Sequence, residues 1–170
     1  DAQKAETMLE PLDQQVRDIL GDFIYGVGEN ESLQNTVVSL LREKDMTVAV
    51  AESCTGGLVA KKLTDIPGAS RCFDCGAVTY SNEQKVRQLN VSEDTLDQFG
   101  AVSQQTALEM CKGIRQAAGA DIGIGITGIA GPDGGTEEKP VGLVYIGVCA
   151  DGVHRAWKLY LAGNRDMVRE

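Results

Sequence analysis

The sequence predicts a three-layer α/β/α sandwich with a mixed, mostly parallel sheet and a C-terminal antiparallel hairpin. Three observations carry this expectation. Apolar runs of strand length alternate with segments of helical periodicity. The first of these runs, "MTVAVA", lacks polar alternation, as a strand covered on both faces does. Asp151-Gly152 separates two further apolar runs, and an Asp-Gly pair in that position favours a tight type I′ hairpin.

The elements follow in chain order. Leu9, Leu12, Val16, Ile19 and Leu20 recur at helical spacing. Pro11 fits only near the start of such a helix, and Gly21 ends it. "FIYGV" (23–27) is a short strand candidate, and polar "GENES" is a turn. A boundary is therefore expected near residue 28. The first 28 residues are too few to hold a core and read as the tail of a preceding linker domain, with residues 29–170 as the main domain. "SLQNTVVSLLRE" (32–43) is an amphipathic helix, "MTVAVA" (46–51) a buried strand, and "GLVAKKL" (57–63) a helix again. "CGAVTY" (75–80) is a second strand, followed by the helix "SNEQKVRQLN" behind two good capping residues. Ser92 and Ser103 each open a further helix, the second long. "DIGIGITG" (121–128) is a third strand, "IAGPDGGTEEKPVG" a glycine-rich loop, and "LVYIGVCA" with "VHRAWKLYLA" the hairpin. "NRDMVRE" reads as a helix cut short.

Composition narrows the function. Of 170 residues, 42% are hydrophobic and 24% charged, a globular balance. A net charge of −9 argues against direct nucleic-acid contact, which is driven by Lys and Arg displacing counterions. No apolar run approaches the roughly 18 residues of a membrane span. The first residue is Asp rather than Met and no signal-peptide pattern is visible, so a fragment of a longer chain is expected. Five cysteines, an odd number, suggest reduced thiols and a cytoplasmic setting. "CFDC" (72–75) has the spacing of a metal or redox pair but no second pair to complete it, so no metal is expected.

The stretch "AESCTGG" (51–57) joins a strand to a helix start, where open α/β sheets bind ligands. Unpaired N–H groups of the helix's first turn, near Thr55 and Gly56, suit an oxyanion. On spacing alone two readings stand level: Ser53 as a nucleophile, or Ser53 or Thr55 as a helix cap. Cys54 competes as a nucleophile, but catalytic cysteines usually pair with histidine, and His154 is the one histidine, near a hairpin tip. For a serine here a Ser-His triad would have to use His154, so a lysine is the favoured base, held neutral by burial or by a neighbouring positive charge. Lys85, five residues beyond the strand that ends at Tyr80, is a candidate, although a solvated helix lysine is the ordinary reading. "GIGITG" (123–128) matches G-x-G-x-x-G, yet its first glycines lie inside a strand and read as packing glycines. The loop "TGIAGPDGG", opened by Thr127 and Gly128, offers backbone N–H groups to an anion or is a connector.

Taken together, "AESCTGGLVAKKLTDIPGAS", "GAVTYSNEQKVRQLNV", "GAVSQQTALEM" and "TGIAGPDGGTEEKPVGLVYIGV" resemble the C-terminal domain of the CinA family, the nicotinamide-nucleotide amidase domain, over roughly residues 30–168. The head resembles the segment that joins this domain to an N-terminal domain in two-part family members. The resemblance implies hydrolysis of the carboxamide of nicotinamide mononucleotide (NMN), a serine nucleophile on Ser53, a tyrosine on Tyr80, a lysine base on Lys85, no metal and no cofactor. It also implies a homodimer and a covalently linked N-terminal domain. Thr55, Gly56, Thr127, Gly128 and Arg165 are the expected substrate contacts, Arg165 suiting phosphate by its bidentate geometry. The alternative is a non-catalytic dimerisation or partner domain that supports an N-terminal ADP-ribose pyrophosphatase-like domain or competence functions. The family's C-terminal helix is expected to be truncated here after its first residues.

Overall fold

The computed structural model describes residues 2–28 and 31–170. The chain divides into two compact units, one extending through Val37 and the other Val38–Glu170. In the first, α1 (Ala2–Leu20) is one helix with Pro11 in its middle, not near its start. Proline removes one hydrogen bond from the ladder, and the helix-favouring Ala, Glu, Gln and Leu around it carry the helix through. The expected strand at 23–27 does not form. Gly21–Phe23 is a 3₁₀ turn and residues 24–27 are irregular, and none of the five strands of the sheet pairs with them. Part of the expected turn at "GENES" (28–32) falls on residues 29 and 30, outside the described residues.

The division between units lies inside α2 (Leu33–Glu43), whose Val38 and Leu41 enter the core of the second unit. There follow β1 (Val48–Glu52), α3 (Leu58–Thr64), β2 (Phe73–Val78), α4 (Asn82–Leu89), α5 (Glu93–Phe99) and α6 (Gln104–Ala118). The unit closes with β3 (Ile122–Gly128), β4 (Leu143–Ala150), β5 (Val153–Tyr160) and the short α7 (Arg165–Arg169). The strands form one sheet in the order β2-β1-β3-β4-β5. β1 pairs in parallel with both β2 and β3, while β3–β4 and β4–β5 are antiparallel. The expected fold class holds, hairpin included.

The period-2 geometry of β1 explains the layers. Val48 and Val50 point to one face and join α2, α3 and α7 through Leu41, Leu63 and Val168. Ala49 and Ala51 point to the other and meet Leu89, Leu96, Met110 and Ile114 of α4, α5 and α6. On the second face the sheet carries small residues, and α6 lies close against it. A Cβ on Gly123, Gly125 or Gly147 would come within 2.1–2.5 Å of the Cys111 or Ala107 carbonyl oxygen. The glycines of "GIGITG" are thus packing glycines inside a strand, as expected.

This topology places a crevice. The chain leaves β1 through α3 to reach β2 on one side, then returns through α4–α6 to β3 on the other. The C-terminal end of β1 is therefore the switch point of the parallel part of the sheet, where α/β folds hold ligands.

Candidate active site

Ser53 follows β1 directly, and its N–H donates to the Ile126 carbonyl of β3 (2.9 Å), so the strand pairing fixes the serine's backbone. Across the crevice, Thr79 N–H donates to the Glu52 carbonyl (2.9 Å), extending the β1–β2 pairing one residue past β2. The chain then turns into α4, capped by Ser81, whose hydroxyl accepts from Gln84 N–H. Lys85 lies one turn into that helix, and helical side chains lean back toward the N-terminus. Its stem consequently runs back to the strand ends and is buried, with 1% of the residue exposed.

The amine has three neighbours. Lys85 Nζ lies 3.1 Å from Ser53 Oγ, 2.8 Å from the Thr79 carbonyl and 3.4 Å from the Tyr80 carbonyl. A neutral amine has two N–H bonds and one lone pair. The two carbonyls can take the two hydrogens, which leaves the lone pair for the serine hydroxyl. Burial lowers the Lys85 pKa from its ordinary value of 10.5, because desolvation penalises the charged form.

Glu52 is a residue that sequence reasoning passed over. It is also 1% exposed, and its carboxylate accepts from Gly57 N–H (3.0 Å), Val59 N–H (3.2 Å) and Ala60 N–H (2.8 Å). Glu52 is thus the cap of α3. Neither Ser53 nor Thr55 fills that place, and the buried Thr55 hydroxyl has no partner among the described residues. The signal was legible: a lone acidic residue ends an apolar strand just before a glycine-rich helix start. Gly56 N–H, expected to face an oxyanion, instead closes a turn onto the Ser53 carbonyl (3.1 Å). Cys54 is buried in the core, and desolvation raises its thiol pKa, outweighing the lowering by its own and the Thr55 N–H groups and by Lys85.

The remaining expected residues divide. Tyr80 is 60% exposed, and its hydroxyl accepts from Arg165 Nη2 (3.1 Å), while only its carbonyl accepts from Lys85. Arg165 Nη1 donates to the Gly131 carbonyl (2.8 Å), so this arginine links Tyr80 to the glycine-rich β3–β4 loop. Thr127 is buried and its hydroxyl donates to the Ala101 carbonyl (2.7 Å). Gly128 ends β3, tight against Leu143 and Val144. Arg169, not singled out in the sequence, donates from Nη2 to the Thr55 carbonyl (3.1 Å). A chain of hydrogen bonds therefore runs from Ser53 through Lys85 to the Tyr80 carbonyl, and from the Tyr80 hydroxyl to Arg165.

The comparisons agree with this architecture. The family model described as the CinA C-terminal domain matches residues 30–170. The chain is 54% identical over 165 residues to a CinA-like protein of Kosmotoga olearia, covering 97% of this chain and 40% of that protein. It is 48% identical over 167 residues to a CinA-like protein of Dictyoglomus thermophilum, covering 98% and 40%. The chain thus spans about two-fifths of the length of these curated relatives. Among solved structures, the competence/damage inducible protein CihA of Agrobacterium tumefaciens superposes with a TM-score of 0.80 at 42% identity, covering 84% of this chain and 88% of that one. A competence-damaged protein (CinA) superfamily protein of Escherichia coli gives 0.79 at 28%, covering 88% and 90%. With the strand order, the "AESCTGG" turn and these matches in agreement, the chain belongs to the CinA family, by its C-terminal domain.

Proposed function

We propose that this domain hydrolyses the carboxamide of NMN to nicotinic acid mononucleotide and ammonia, with Ser53 as nucleophile and Lys85 as base. The observation that carries the reading is the buried Lys85 amine 3.1 Å from Ser53 Oγ, with two carbonyls to orient it. Ser53 Oγ attacks the carboxamide carbon while its proton passes to Lys85 Nζ. The resulting ammonium returns that proton to the leaving nitrogen, the C–N bond breaks and ammonia departs. Water, deprotonated by the same amine, then attacks the serine ester, the bond to Ser53 Oγ breaks, and the lysine ammonium returns the proton to Oγ as nicotinic acid mononucleotide leaves. Gly56 N–H and the α3 N–H groups are already engaged. The N–H groups of Cys54 and Thr55, whose only acceptor among the described residues is the weak Cys54 sulfur, are the donors left for the oxyanion. Arg165, between Tyr80 and the β3–β4 loop, stands where a phosphate could take Nη2 from the tyrosine hydroxyl.

The test is ammonia release from NMN by the purified chain, with ADP-ribose as a control substrate. Ser53→Ala is expected to lower turnover by about a thousandfold or more. Unchanged turnover in that variant would sink the serine mechanism, and loss of activity on thiol alkylation in its place would move the nucleophile to Cys54.

A further inference from the structure

The Ser53–Lys85 pair is built from two separate stretches of chain, the turn after β1 and the β2–α4 junction. One residue holds both. The Glu52 carbonyl accepts from Thr79 N–H (2.9 Å), and Thr79 supplies the closest carbonyl to Lys85 Nζ. The Glu52 side chain reaches in the other direction, across the turn that carries Ser53, and grips three N–H groups at the start of α3. The turn is further closed by Gly56 N–H on the Ser53 carbonyl. A cap alone does not require this arrangement. A local Ser, Thr, Asp or Asn would close the helix from the surface, whereas here a carboxylate is buried at 1% exposure. Burying such a group is costly unless it is fully hydrogen-bonded, and one held by three N–H donors is stiff.

We propose that Glu52 is a positioning residue that sets the Ser53 hydroxyl against the Lys85 amine, and that it closes the α3 N-terminus to substrate anions. The inference rests on the serine–lysine reading. Glu52 touches neither of the reacting groups with its side chain. It acts by fixing the two ends of the Ser53 turn, so its loss costs reactivity more than substrate binding.

The experiment compares the chain with Glu52→Gln, Lys85→Met and Ser53→Ala, using a fluorophosphonate that phosphonylates activated serines. In that step the Ser53 Oγ–P bond forms, the P–F bond breaks, fluoride leaves and Lys85 takes the serine proton. Glutamine keeps the reach of Glu52 but sets an NH₂ group against the helix N–H donors. Labelling of Glu52→Gln is expected to slow about tenfold or more, as small misplacements of reacting groups do. With NMN, kcat should fall in parallel and KM change little. Glu52→Ala with added formate provides a second reading: recovery of labelling supports the inference, because a small carboxylate can reoccupy the freed N–H groups. A folded Glu52→Gln that labels at the unsubstituted rate overturns it, as does a kcat held constant while KM rises. If circular dichroism shows that neither Glu52 variant folds, the residue belongs to the fold rather than the site, and the inference is equally overturned. If Ser53 in the unsubstituted chain takes no label, the serine reading itself has failed.

Discussion

Lys85 titrates in a place where two carbonyls and a hydroxyl surround its amine, and the proposed mechanism takes its pH dependence from that group. Burial holds its pKa below 10.5. In the proposed mechanism the base must be neutral, so kcat/KM for NMN is expected to rise with pH through that lowered pKa and level off before pH 10.5. Stability should change in the same direction. Between the lowered native pKa and the ordinary value, the unfolded chain binds a proton that the native chain has given up. Stability therefore increases as pH rises through that window. Below the native pKa both states are protonated, and the native one carries the full burden of a buried ammonium. Lys85→Met should remove both the activity and this rise. Urea unfolding across a pH series checks it, and an unchanged slope in Lys85→Met would assign the rise to another group.

Close approach of α6 to the sheet is the defining contact among the elements. Gly113 of α6 faces the Leu89 carbonyl, and a Cβ there would come within 2.0 Å of that oxygen. Leu89 is the last residue of α4, the helix that carries Lys85. Gly113→Ala should thus push α4 away from α6 and cost about 2–3 kcal/mol, as overpacking does. Gly152 at the hairpin tip has open space around it, but its φ is +68°. Gly152→Ala should cost only about 1 kcal/mol, the strain of a left-handed backbone. Denaturant midpoints measure both, and equal losses would mean that the α4–α6 contact relaxes freely.

Across the whole molecule the five thiols report how the core is distributed. Cys54, Cys72, Cys111 and Cys149 are buried, and Cys75 is half-buried. Burial raises the thiol pKa of Cys54, Cys72 and Cys111. A water-soluble disulfide reagent should therefore modify Cys75 first in the native chain and all five thiols only after unfolding. Blocking Cys75 should leave NMN turnover intact. Rapid modification of Cys54 in the native chain would contradict its place in the core. No described helix is long and apolar enough to cross a membrane.

Much of the fold was legible because local backbone geometry writes it into short windows. The unbroken apolar run of "VAVA", the Ser81 and Ser103 caps, and Asp-Gly between two strands each depend on neighbours a few residues apart. The α1 helix running through Pro11 and the missing strand at 23–27 were misread from the same windows. A strand needs a partner that no window contains, and one proline can be outweighed by its surroundings. For the site, residue types and the strand-to-helix turn were readable, and motif resemblance named Ser53 and Lys85. Their 3.1 Å separation was not readable, because those residues lie 32 positions apart. It depends on β1 and β2 pairing in parallel and on α4 starting where Lys85 leans back over the strand ends. The same holds for the buried cap, where Glu52 displaces Thr55, and for the Tyr80 hydroxyl, which faces Arg165. Sequence by itself determined the succession of elements and the chemistry available at their ends. Only the tertiary structure decided which of those groups meet, since strand order and helix register, not distance along the chain, set the contacts between them.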